Sequence, residues 1–250
     1  MNSETKGEIK KLLLEKLNKK LDSHESETEY KPFFEAIFSK KQIITASVIH
    51  SFYTSFGMSI YEQIGEILAK SQGYEAERQY ELLGSIDNNT ENLINKIVRD
   101  LIDKKILANL DAEIDLIKSS IKPSKPLQKD NDRTVDLFIK KGKEEYYFDL
   151  KTVKPNKTDF ESFKRKLLRW IGLRLSQSKD AKLNVAIAMP YNPYYPKRYV
   201  RFGSDTLFDK TQLLVQDDFW NLLGGKGTFQ ELIKIHQEVG NVLRDKIDKI

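Results

Sequence analysis

A chain of 250 residues can bury a substantial hydrophobic core as one large domain or two small ones. With 32% charged and 39% hydrophobic residues it is neither disordered nor collagen-like, and the absence of cysteine excludes disulfides, thiol catalysis, iron–sulfur clusters and nearly all structural zinc motifs. The net charge of +5 is uneven: residues 140–201 hold 16 Lys/Arg against 6 Asp/Glu, a net +10, leaving −5 for the rest. Such a block is the footprint of a polyanion site, nucleic acid foremost, or else a lysine-rich solvated surface.

The longest apolar runs, such as Val185–Met189, fall far short of the ~20 residues of a spanning helix, so no membrane association is expected. Met1–Lys6 leads into a charged amphipathic stretch rather than an apolar signal core, and a cytoplasmic location is expected. His24, His50 and His236 are scattered and form no paired imidazole motif, which argues against a histidine-based zinc enzyme.

In chain order, Gly7–Leu21 places Ile9, Leu12, Leu13, Leu14 and Leu17 at helical spacing. A polar break follows at Asp22–Glu29, and Pro32 suits the first turn of a new helix. Ser55–Lys70 is helical, with Ile60, Ile64, Ile67 and Leu68 on one stripe and Glu62 off it. Ile86–Ser120 reads as one helical region, ended by Pro123 and Pro126. The period then changes: Thr134–Ile139 and Glu145–Val153 are β-branched and aromatic, and flank a Lys-Lys-Gly-Lys turn as a hairpin. Lys157–Ser178 returns to helix, Leu183–Met189 is a short strand, Tyr191–Gly203 is a loop, and Asp217–Leu223 and Thr228–Ile250 are closing helices. Gly224–Thr228 lacks the glycine spacing of a phosphate loop and follows a helix rather than a strand. The chain reads as a single α/β domain over residues 1–250, with a mostly helical portion at 1–125 and a catalytic and DNA-binding core at 130–206.

Three hairpin residues carry the chemistry. Asp149 and Lys151 are two apart on a strand and so share a face, while Leu150 between them points toward a core. A two-residue turn at Gly142-Lys143, glycine first as type II′ prefers, opposes Lys140 to Glu145, Phe138 to Tyr147 and Asp136 to Asp149. Two adjacent carboxylates repel unless a cation sits between them. Oxygen ligands with no histidine or cysteine nearby favour Mg²⁺, and a lysine beside it can orient a water and stabilise charge on a phosphorane. The combination suits phosphodiester hydrolysis.

Val135-Asp136, a gap, then Asp149-Leu-Lys151 resembles the PD-(D/E)xK nuclease motif, with valine where the motif is labelled by proline. That resemblance implies a mixed β-sheet flanked by helices, with Asp136 and Asp149 as metal ligands, the Leu150 carbonyl as a further ligand and Lys151 as the catalytic lysine. Many such nucleases add a glutamate on a helix before the first strand, and Glu62 is the matching position. Four ordered blocks, Ser51–Gln63, Phe148-Asp-Leu-Lys-Thr-Val-Lys-Pro-Asn156, Pro190–Pro196 and Asp218–Gly225, resemble segments of TdeIII-type type II restriction endonucleases. This resemblance implies a homodimer that uses Mg²⁺ to cut double-stranded DNA at a short palindrome, GGNCC in that family. Residues 1–50 and 75–125 carry none of these blocks. Two other readings remain open from the sequence: a structure-specific repair or recombination nuclease of the same fold, and a DNA-binding protein without catalysis.

Contacts to DNA are expected from two segments. Lys154, Asn156 and Lys157 form a turn directly after the catalytic strand, and Lys164, Arg165, Lys166 and Arg169 lie on the helix that follows. Lysine and arginine there can meet phosphates, although about half of such a set is expected only to solvate the helix. Lys197, Arg198 and Arg201, in a loop with four tyrosines, have the donor type that reads guanine, or else the loop packs its tyrosines on the core or a dimer interface.

Overall fold

The computed structural model describes residues 1–22, 31–121, 133–151 and 154–249. His24, the breakers Pro123 and Pro126, most of the polar break at 22–29, and the Thr152-Val153 end of the predicted catalytic strand lie outside these residues. Helices α1 (Ser3–Asp22), α2 (Pro32–Glu35) and α3 (Lys40–Ser55) come first, and a π-helical turn, Phe56–Ile60, joins α3 to α4 (Tyr61–Ser71). Strand β1 (Glu75–Glu81), helices α5 (Asn88–Ile102) and α6 (Leu110–Ser120) and the hairpin β2 (Thr134–Lys141) and β3 (Glu144–Leu150) follow. The chain continues through α7 (Lys157–Gln177), β4 (Lys182–Met189), α8 (Ser204–Leu207), β5 (Leu213–Val215), α9 (Asp217–Gly224) and α10 (Thr228–Ile247).

The hairpin has the register that its turn chemistry dictates from Lys141–Glu144 to Leu137–Phe148, but the expected Asp136–Asp149 pair lies beyond the paired ladder, where β2 leaves its regular alternation. Phe138 opposes Tyr147 and Lys140 opposes Glu145. Gly142 has φ of 63° and Lys143 is not in the positive-φ region, as a type II′ turn requires. The aromatic pair closes to 5.1 Å between ring centroids. The charge pair does not close. Glu145 instead accepts two hydrogen bonds from Arg174, at 2.7 and 2.8 Å, and Lys140 turns to Glu75 at 3.7 Å. A planar guanidinium meets a carboxylate through two parallel bonds, and this geometry outcompetes a single lysine contact.

The five strands stand in sequence order, β1 and β2 antiparallel, β2 and β3 antiparallel, then β3, β4 and β5 parallel. The parallel step from β3 to β4 requires a crossover, and α7 provides it. Two core layers cover the mixed sheet. On one side Ile94, Val98, Leu167 and Ile171 of α5 and α7 pack with Tyr147, Val185 and Ile187. On the other, Ile9, Ile64, Trp220 and Val239 of α1, α4, α9 and α10 pack with Leu137, Phe148, Leu150 and Ala188. Each such fully buried side chain stabilises the fold by about 1.5–3 kcal/mol. The mixed sheet flanked by helices is the fold class expected from the sequence.

Two strands escape the sequence pattern. β1 is an edge strand that alternates exposed and half-buried positions and is built mostly from Glu, Arg and Gln, so it carries no apolar alternation. It draws the helical N-terminal portion into the sheet. β5 has three residues, too few to show a period. The region read as one helix over Ile86–Ser120 is two, because Lys104 turns back with φ of 56° and Asn109 caps α6 by accepting the Ala112 N–H.

Gly84 marks where the β1–α5 connection crosses α7. Its φ is 154°, and a Cβ placed on it would lie 2.2 Å from the Leu173 carbonyl oxygen. Backbone cannot swing aside as a side chain can, so Gly84→Ala is expected to destabilise the protein by about 2–4 kcal/mol. Urea denaturation measures this; a change under 1 kcal/mol would mean that the two segments are not packed this closely.

Candidate active site

The site forms where β2 and β3 leave their regular pairing. Val135 lies in one core layer and Leu137 in the other, so β2 passes between layers at Asp136. Opposite it, Gln79 of β1 takes φ of 51°. Alternation along β3 sends Phe148 and Leu150 into the α1–α4 layer and turns Asp149 to the other face, where it is wholly buried. The Leu150 N–H donates to Asp136 Oδ2 at 2.7 Å, which ties the first carboxylate to the strand carrying the second.

Lys151, just past β3, completes the cluster. Its Nζ lies 2.8 Å from Asp149 Oδ1 and 3.8 Å from Asp136 Oδ2. The three residues that turn chemistry and strand alternation brought together in the sequence are therefore adjacent in space. Burial, reinforced by the charge of Asp149, raises Asp136 above the usual carboxylate range. Glu62 on α4 is also nearby and only 4% exposed; it accepts a hydrogen bond from Gln79 Nε2 at 2.9 Å. Burial raises its carboxyl as well, with the Gln79 hydrogen bond opposing the shift and the Asp136 charge adding to it.

One atom tests whether a cation fits. Asp149 Oδ2 is buried and has no hydrogen-bond partner among the described residues, while Oδ1 is held by Lys151. A carboxyl oxygen shielded from water and left without a proton donor suits a metal ligand. Among the described residues no three His, Asp or Glu side chains are grouped to hold a metal ion. Two carboxylates completed by backbone, water and phosphate oxygens are what Mg²⁺ tolerates best.

Sequence reasoning overlooked one participant, Gln79, and offered another, Lys166, only as one of several α7 cations for phosphate contact. Gln79 lies on the unpredicted strand β1. Lys166 of α7 donates to Asp149 Oδ1 at 2.7 Å, and its ammonium stands 5.0 Å from the Trp170 ring centroid. Lys166 belongs to a run of three cations, Lys164 to Lys166, and composition alone does not rank them. Helical phase separates them once α7 is docked.

The predicted DNA contacts divide in the same way. Lys154, Asn156 and Lys157 are exposed beside the site, and the Asn156 N–H donates to Asp159 at the start of α7. Lys151 and Lys154 open onto a cleft of about 510 Å³ lined by Tyr53, Phe56, Tyr61 and Tyr191. Lys164 cannot reach a phosphate: it is fully buried on Glu113 and Gln212. Arg165 bonds Asn95 and Arg169 pairs with Glu91, so both brace α7 against α5. In the tyrosine loop Lys197 and Arg198 are exposed, while Arg201 is bonded to the Pro155 carbonyl and the Tyr194 hydroxyl. Tyr199 is in the core with Tyr194 against it, so part of this loop packs rather than reads.

Comparison with known proteins adds an independent line. Residues 1–240 match the family described as "Type II restriction endonuclease, HinfI". The type II restriction enzyme MjaII of Methanocaldococcus jannaschii is 24% identical over 214 residues, 80% of this chain and 56% of its own length, so the chain spans little more than half of that relative. HgiCII of Herpetosiphon aurantiacus is 25% identical over 233 residues, 90% of this chain and 82% of HgiCII, and HgiEI of the same organism is 24% identical over 227 residues, covering 88% and 81%. The likeness noted in the sequence to TdeIII-type enzymes agrees with these findings at the level of type II restriction endonucleases. With almost its whole length matched, the chain belongs to the HinfI family of type II restriction endonucleases.

Proposed function

We propose that this chain is a Mg²⁺-dependent endonuclease that cuts double-stranded DNA at a short GC-containing palindrome, acting in the cytoplasm as a homodimer with one site per strand. The observation that carries the reading is the Asp136–Asp149–Lys151 cluster with its buried, unpartnered carboxylate oxygen. The TdeIII-like blocks support GGNCC as the recognition sequence.

Asp136, Asp149 and the Leu150 carbonyl would hold Mg²⁺, which would supply positive charge beside the phosphate and activation of water there. Lys151, 27% exposed and anchored on Asp149, orients the attacking water and stabilises negative charge building on the phosphate. Attack is in line with the 3′ oxygen, which leaves and gives a 5′-phosphate product. Glu62 orders water near the Asp136 carboxylate. Lys154, Asn156 and Lys157 hold the backbone next to the scissile phosphate, and Lys197 and Arg198 extend the contact.

Incubation with unmethylated phage DNA and MgCl₂, followed by sequencing of the fragment ends, tests this. Ends clustered at one palindrome are expected. Cutting at junctions, flaps or ends would replace the reading with a structure-specific nuclease, and binding without cleavage in Mg²⁺ or Mn²⁺ would replace it with a non-catalytic DNA-binding protein.

A further inference from the structure

Two ammonium groups fall on one oxygen of Asp149. Lys151 reaches Oδ1 at 2.8 Å from the end of β3, and Lys166 reaches it at 2.7 Å from α7. Lys151 serves the reaction from the end of β3, and the second lysine comes from a different element with its own support. The Lys166 ammonium is 5.0 Å from the Trp170 ring centroid, one turn along the same helix, and Phe163 of α7 lies 5.5 Å from the Lys151 ammonium. The first turns of α7 thus press a cation, backed by aromatic rings, onto the buried acid pair.

We propose that Lys166 is the internal counter-cation of the Asp136–Asp149 pair, holding Asp149 by Oδ1 and opposing the divalent ion for the same carboxylate. The inference rests on the reading of this pair as a metal site. A divalent ion on Asp149 Oδ2 lies within one carboxylate's width of the ammonium on Oδ1, so like charges repel across a short, poorly screened path. Lys166 is only 23% exposed, so water and salt weaken that repulsion less than at an open surface. The lysine stabilises the acid pair before the metal binds and lowers the net affinity for it. The ammonium on Oδ1 stays beside the site, where an incoming phosphate would provide a further negative partner. Lys166 is a positioning residue: it acts through Asp149.

Calorimetric titration of the DNA-free protein with Mn²⁺ tests the proposal without relying on cleavage. Lys166→Gln, which keeps a donor for Oδ1 but removes the charge, is expected to bind Mn²⁺ about tenfold more tightly than the wild type. Lys166→Arg, which keeps the charge, is expected to stay within about twofold of the wild type. Thermal melts supply a second readout: Lys166→Gln lowers the melting temperature in EDTA and recovers the wild-type value at saturating Mn²⁺. A purely structural lysine would lower it equally in both conditions. Unchanged or weaker Mn²⁺ binding by Lys166→Gln, with wild-type binding intact, overturns the counter-cation role alone. Should Lys166→Gln not fold, Lys166→Met is titrated instead with the same criterion. If the wild type does not bind Mn²⁺, or Asp149→Asn binds it as well as the wild type, the metal-site reading itself fails.

Discussion

Asp149→Asn is expected to reduce DNA cleavage by at least ~10³-fold while the protein stays folded. The substitution keeps the shape of a wholly buried side chain and removes the charge that two lysines share and that the proposed metal would use. Its effect on stability is small for a definite reason. The ion pairs that are lost involve lysines 27% and 23% exposed, which can turn to water, and the repulsion between Asp149 and Asp136 is lost with them. These effects offset each other, and a change of no more than ~1 kcal/mol in unfolding free energy is expected. Lys151→Ala should show the same separation of activity from stability. Plasmid cleavage with MgCl₂ and a urea melt on the same preparations make the comparison. More than a tenth of wild-type cleavage in both variants would remove the site assignment. A core position of ordinary structural kind would show the opposite pattern, a large loss of stability with activity retained in the surviving folded fraction.

The hairpin was legible in the sequence because two local rules, glycine first in a two-residue turn and alternation along a strand, act without help from the rest of the chain. They placed Asp136, Asp149 and Lys151 on one patch, and the structure brings the three together. What the sequence hid depends on tertiary docking. β1 exists because β2 offers an edge, and its charged alternation has no apolar signal of its own. Gln79 is invisible for the same reason, although it is the residue that hydrogen-bonds Glu62. The cations of α7 show the limit most clearly. Lys164, Arg165, Lys166 and Arg169 are indistinguishable as a basic run, yet they face Glu113, Asn95, Asp149 and Glu91 respectively. Charge composition flagged the helix that lines the Asp136–Asp149 site. It could not say that three of the four are spent on bracing the helix, because that depends on the acids and amides contributed by α5 and α6.

Lys164 yields the largest effect on stability. Its ammonium donates to both oxygens of Glu113, at 2.6 and 2.7 Å, and to Gln212 Oε1 at 2.8 Å, and Gln212 Nε2 returns to Glu113 Oε2 at 2.6 Å. All three side chains are buried, and burial lowers the Lys164 pKa against the pull of Glu113. A closed network of this kind joins α6, α7 and the segment before β5, three pieces distant in sequence. Lys164→Met removes one charge and leaves the Glu113 carboxylate in the interior with only Gln212, so a loss of about 3–5 kcal/mol is expected. The double variant Lys164→Met with Glu113→Leu removes both charges and should recover most of that loss, since packed apolar side chains replace a buried ion pair at little cost. The same variants decide between a structural and a DNA-binding role. Well below its melting temperature the double variant should bind DNA with the wild-type dependence on salt, whereas Lys157→Ala, on the exposed turn, should weaken binding and reduce the slope of log K against log salt by about one. A double variant as unstable as Lys164→Met, or one with a reduced salt slope, would show that the charge of Lys164 serves more than the interior pair, and the position would return to the set of residues that meet DNA.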